Sequence, residues 1–324
     1  MTQTNTAQLS SENSPPPESD LQQPGVSLRR AIAKLFFWCV LLICADRLVF
    51  QVLMRGYNGY FGLNRASEIV FVGNSRTALG VDHKLIEKET GVTCAKFALN
   101  GATAKNRYAM VKHLIETHPS CQTIVFDVSA YSFNDRNLSA AAYTLLYPYI
   151  GSAAIDEHIK SAAKTSHEFL IRKAFLCPRF TSTTIGLAAR GLLGRDDNLK
   201  FASVDLSRVQ HLIDSGRSQS LETSEDGKRV FLDTVAAVTQ SNRRLVLVHL
   251  PVVKMLNDVD RSAHDANIQI LRDLARSNAN VKFIDLNSDF EQRLDLMYDG
   301  IHLNADGKQV LSKLLATKLV DSDK

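Results

Sequence analysis

Five short apolar runs, separated by helical patterns, constrain this chain more than any other feature of its sequence. Residues 68–72, 93–98, Thr123–Val128, 245–250 and 281–284 read as strands. Helical patterns at 82–90 and Ala104–Thr117 lie between the first three, 263–277 lies between the last two, and 305–319 closes the series. Short Val, Ile and Phe runs alternating with helices predict a parallel sheet covered on both faces. That pattern implies one α/β domain. No internal repeat and no GxxxxGK phosphate loop interrupts it.

One stretch breaks the rhythm. Between Tyr131 and Arg244 the chain is far longer than a crossover of about a dozen residues requires. Residues 226–240 can form the crossover helix, which leaves 134–224 as a helical insertion. Two readings are open for it: extra packing surface, or a lid or groove bordering the ligand crevice at the carboxyl edge of the sheet.

The N-terminal part belongs to another class of segment. Residues 1–28 are polar and rich in Ser, Gln and Pro, with nothing to bury, so a disordered tail is expected. In 29–55, Arg29, Arg30 and Lys34 introduce an apolar stretch, and 31–54 reaches the ~20 residues of a membrane span only by including Asp46 and Arg47. That pair is tolerable if it lies near the far interface with Arg47 snorkelling; a buried amphipathic helix is the alternative. The long polar leader and the lack of an Ala-x-Ala site favour an uncleaved anchor over a signal peptide. Basic residues before the span put the N-terminus in the cytoplasm and the rest of the chain outside the cell membrane.

Composition narrows the remaining classes. Across 324 residues the hydrophobic share is 45% and the charged share 22%, as in ordinary globular chains. The net charge of +4 is spread along the sequence with no dense basic block, so nucleic-acid binding is not indicated. No Cys/His cluster has metal-ligand spacing, and no cofactor is implied. Cys94 and Cys121 each stand at a strand start, where a bridge between them can be considered.

Two stretches carry chemistry. FVGNSRTALGVD, residues 71–82, breaks from strand to loop at Gly73-Asn74-Ser75, the carboxyl end of the first strand, where ligands bind in open α/β sheets. Ser75 can be a nucleophile, a phosphate contact or merely a helix cap. Arg76 can meet an anionic substrate or form an ordinary ion pair. In YDGIHLNADG, Asp299 and His302 are three residues apart before the last helix, which lets a carboxylate orient an imidazole. Asn304 suits the cap of that helix. His249, ending the fourth strand, is a rival base.

At these residues the chain resembles the SGNH, or GDSL-type, hydrolases. Gly73-Asn74-Ser75, Asn100-Gly101 and Asp299-Gly300-Ile301-His302 match the blocks that supply the nucleophile, an oxyanion-hole amide, and the Asp and His. The resemblance covers about residues 66–320 outside the insertion and is nearest to membrane-anchored SGNH-like proteins of bacterial envelopes. It implies a flavodoxin-like three-layer sandwich. It also implies a catalytic set of Ser75, His302 and Asp299, with Gly101, Asn100, Asn74 and Arg76 at the oxyanion and substrate. The implied activity is ester hydrolysis or O-acyl transfer on an acylated envelope glycan or small ester, alongside envelope-polysaccharide machinery. A non-catalytic binding or assembly module of the same fold is the alternative. The third block departs from the family: Asp127-Val128-Ser129 stands where Gly-x-Asn-Asp is usual. Asn134, Asn74 and Asn106 are the candidate replacements for the missing donor.

Overall fold

A computed structural model describes residues 28–134, 138–195, 198–216 and 221–320. The expected disordered tail lies outside the described residues, apart from its last position. Two units divide at Ala45/Asp46.

The larger unit is an α/β sandwich. Its strands are β1 (Ile69–Gly73), β2 (Cys94–Ala98), β3 (Thr123–Val128), β4 (Arg244–His249) and β5 (Val281–Asp285). They form one parallel sheet in the order β2-β1-β3-β4-β5, which is the flavodoxin-like order. β1, β2 and β3 are buried at every position, as a sheet covered on both faces demands.

The helices follow from the crossovers. α1 (Leu28–Phe61) precedes the sheet; α2 (Ser75–Gly80) and α3 (His83–Thr90) join β1 to β2; α4 (Ala104–Thr117) joins β2 to β3. After β3 come α5 (Ala153–Ala162), α6 (Ser166–Ala174), α7 (Ser182–Leu192), α8 (Leu206–Asp214) and α9 (Glu225–Gln240). α10 (Lys254–Asn257) and α11 (Arg261–Ser277) lie between β4 and β5, and α12 (Asn287–Phe290) and α13 (Ala305–Val320) follow β5. The first connection runs towards one sheet edge and the later ones towards the other. Right-handed crossovers therefore put α3 on one face and α4 and α9 on the opposite face. α13 returns to pack on α3, and α4 packs beside α9.

Every expected strand and helix is found within a residue or two of its expected bounds, and α9 is the expected crossover helix. The 146–159 part of the insertion is a layer of the core. Leu146, Tyr147, Ile155 and Ile159 are among its most buried residues and join the main core. The sequence could not show this, because short apolar patches in a long connection fit either a lid or a core layer.

The bridge considered between Cys94 and Cys121 does not form, and both thiols are free and buried. β1 lies between their strands. Two strand spacings amount to roughly 9–10 Å, beyond the ~7 Å Cα limit for a disulfide.

Helix α1 is long and apolar enough to cross a membrane. All its residues through Ala45 are exposed. Within the larger unit its last turns are buried instead: Tyr57 and Phe61 sit in the core, and Tyr57 donates to the Leu145 carbonyl at 2.6 Å.

Candidate active site

Ser75 occupies the first turn of α2, directly beyond β1, and Asn74 caps that helix by accepting the Arg76 amide at 3.0 Å. The cap is therefore Asn74, and the Ser75 hydroxyl is left for other work. Gly73 is required here by close approach. A Cβ on it would collide with the Thr77 side chain and press on the Asp127 Cβ at 3.1 Å. At the other end of α2, buried Lys96 of β2 donates to the carbonyls of Ala78 at 3.1 Å and Val81 at 2.9 Å. A cation at a helix C-terminus satisfies carbonyls that lack intrahelical partners. The short helix is held at both ends.

The loop before α13 supplies the rest of the row. Asp299 Oδ1 accepts the amides of Ile301 and His302, each at 2.9 Å, which fixes the turn. The His302 Nδ1 lies 2.9 Å from Asp299 Oδ2, and its Nε2 lies 2.8 Å from the Ser75 Oγ. The structure thus brings together a hydroxyl, an imidazole and a carboxylate, with Ser75 and His302 227 residues apart in the chain. With Nδ1–H donating to the Asp299 carboxylate, the ring leaves Nε2 as the acceptor facing Ser75. Burial alone would raise the Asp299 pKa. The hydrogen bond and charge of His302, with the two backbone amides, outweigh it and hold the carboxyl below its ordinary value.

His249 is not in this row. It is 1% exposed and pairs with Asp285 on the neighbouring strand, Nδ1 to Oδ1 at 3.2 Å. The carboxylate partner was invisible in sequence because strand register, His249 opposite Asp285, supplies it. Burial lowers the His249 pKa, so the ring is a neutral donor. Burial would raise that of Asp285, but the bond from His249 outweighs it and holds the carboxyl down to about 2.

Ser75 opens into a small polar chamber lined by Asn74, Arg76, Arg107, Asp127, Ser129 and Asn134 among others. Arg76 belongs to its buried floor. The guanidinium donates to the Leu250 carbonyl at 2.5 Å and lies 3.7 Å from Asp127 Oδ1. Arg107, from α4, donates to the Asp127 carbonyl at 2.8 Å. Arg76 is therefore neither a surface ion pair nor an open anion receptor, since its charge faces Asp127. Of the candidate replacement donors, Asn74 and Asn134 line the chamber and Asn106 does not. The Asn134 amide donates to the Glu222 carbonyl at 2.8 Å. Asn100, which is exposed, and Gly101 do not line the chamber. Gly101 has φ +71°, and a Cβ there would press on Ser139.

Beside the chamber lies a larger cavity of about 400 Å³, walled by Tyr131, Val209, Leu212, Leu256, Tyr298 and Asp299 among others. Tyr131 and Ile301 border both spaces. The α8 segment of the insertion thus forms a groove wall next to the row. Sequence reasoning missed Arg107, Tyr131 and Tyr298. Arg107 lies on an ordinary helical face, and nothing in its spacing marks it. Among the described residues no group of three or more His, Cys, Asp or Glu could hold a metal ion.

No family model matches the chain, and no curated protein is significantly similar to it. Among solved structures, a Bacteroides fragilis protein assigned as an acylhydrolase is similar at TM-score 0.38 and 13% identity, over 81% of this chain and 90% of that one. A catalytic mutant of an acetylxylan esterase from Geobacillus stearothermophilus is similar at TM-score 0.39 and 10% identity, over 78% and 94%. Another mutant of that esterase, described as acting on acetyl-xylooligosaccharides, gives TM-score 0.38 at 10% identity, over 78% and 94%. Likeness at this level does not bear on activity.

Proposed function

We propose that this chain is a serine-dependent acyl-ester hydrolase or O-acyltransferase, anchored by α1 in the cell membrane with its α/β domain outside the cytoplasm. The observation that carries the reading is the row Ser75 Oγ–His302 Nε2–Asp299, with contacts of 2.8 and 2.9 Å. His302 takes the Ser75 proton as Oγ adds to the ester carbonyl, and Asp299 stabilises the imidazolium that forms. The oxyanion is received by the Ser75 backbone N–H and the Asn74 side-chain amide, with the Gly101 N–H as a further donor on the family resemblance. Collapse expels the alcohol, which takes its proton from His302 and leaves an acyl-Ser75 ester. Water or a sugar hydroxyl, deprotonated by His302, then receives the acyl group. An acylated envelope glycan or a related small ester is the substrate class we assign. The aromatic and apolar groove beside Asp299 supports a ligand with rings or acyl chains.

Turnover of p-nitrophenyl acetate by the full-length protein in detergent tests the reading. His302→Ala should lower kcat/KM by about 10⁴-fold, and Asp299→Asn by a comparable factor. Equal rates in wild type and His302→Ala would leave the non-catalytic binding module as the better account.

A further inference from the structure

Helix α1 reaches the length of a span only with turns that already contact the insertion. Crossing the ~30 Å hydrocarbon core takes ~20 residues at 1.5 Å each. Counted from Ala31, the first residue past the Arg29-Arg30 pair, the far boundary falls at about Phe50. The unbroken exposed run ends at Ala45; beyond it exposed Leu48, Val49 and Val52 alternate with partly covered Asp46, Phe50 and Leu53. From Ala31 to Ala45 the helix rises only about 22 Å.

In the remaining turns one side of α1 is already built into the insertion. Asp46 Oδ2 accepts the Leu176 amide at 3.0 Å and Oδ1 accepts the Cys177 amide at 2.8 Å. One turn on, the ring of Phe50 meets that of Phe180 edge-on at 5.9 Å. A carboxylate at membrane depth is costly unless it is satisfied. Here two backbone donors satisfy it, and Asp46 in turn occupies two amides at the start of the 3-10 turn Cys177–Arg179. Whatever depth Asp46 and Phe50 reach, Leu176, Cys177 and Phe180 reach with them.

The adjoining surface has the composition of a membrane face. Phe175, next to Leu176, is 57% exposed, and Leu170 and Ile171 of α6 are exposed beside it in sequence. α1 exposes Leu48, Val49 and Val52 over the same turns. Arg47 and Arg55 on α1 are exposed in the same segments, as suits side chains that reach the headgroups.

We propose that the α6–Phe180 corner of the insertion is seated in the bilayer that α1 crosses, with Leu170, Ile171 and Phe175 at the boundary between headgroups and acyl chains. This rests on the anchor reading above. The seat completes the span, and it ties the domain to the membrane by a second element.

Tryptophan quenching by lipid tests it, because Trp38 is the chain's one tryptophan. Full-length protein is reconstituted into phosphatidylcholine vesicles with or without lipid brominated near the top of the acyl chains. Trp38 in wild type reports the span. Phe175→Trp and, separately, Ile171→Trp, each with Trp38→Phe, report the seat, and Leu232→Trp on exposed α9 is the control. The seat predicts at least about twofold quenching at 175 or 171, as for an interfacial apolar face, and none at 232. Quenched Trp38 with unquenched tryptophans at both 175 and 171 overturns the seat and leaves the anchor standing. Unquenched Trp38 overturns the anchor itself.

Discussion

On the proposed mechanism Asn74 joins two functions that can be separated. Its side-chain oxygen caps α2, and the proposal assigns its amide group to the oxyanion in the chamber that Asn74 and Ser75 share. Serine caps a helix about as well as asparagine but removes the amide donor. Asn74→Ser should therefore leave the thermal midpoint within a few degrees and lower kcat by ~10²–10³-fold with little change in KM. Steady-state kinetics with thermal melts checks this. Activity within about twofold of wild type would mean that the donor lies elsewhere, with Gly101 the next to examine.

Strand pairs carry electrostatics as well as packing, and β4–β5 has a pH signature. The folded Asp285 carboxyl, at about 2, lies below its ordinary 3.8. A depressed folded pKa contributes stability that is fully present above the unfolded value and lost as pH falls through the folded one. The His249–Asp285 contact should therefore stabilise fully at pH 6 and fade between about pH 4 and 2. The buried, lowered His249 acts in the same direction, because unfolding exposes a ring that binds protons more readily. Asp285→Asn should lower stability at pH 6 by on the order of 1 kcal/mol, discounted for partial exposure, with the deficit shrinking towards pH 3. Urea melts at both pH values read it. A deficit that is constant with pH would show that the charge of Asp285 has no part in it.

For the molecule as a whole, the sheet was legible because parallel strands buried on both faces are written as apolar runs. The row was legible for a different reason: its members stand at strand and helix ends, where α/β topology gathers residues distant in sequence. What sequence hid depends on side chains crossing between elements. Asp285 becomes the partner of His249 only through register. Arg76 looks surface-bound in a GNSR string, yet it turns inward to Asp127 and Leu250. Asp46 reads as a flaw in a span, yet it holds two amides of the insertion. Mass spectrometry after treatment with a small fluorophosphonate tests most directly whether Ser75 is a nucleophile activated by His302. The account predicts one adduct, on Ser75, in folded wild-type protein, and labelling slowed by about 10³-fold or more in His302→Ala. An adduct elsewhere, no adduct in folded protein, or equal labelling in His302→Ala would contradict it.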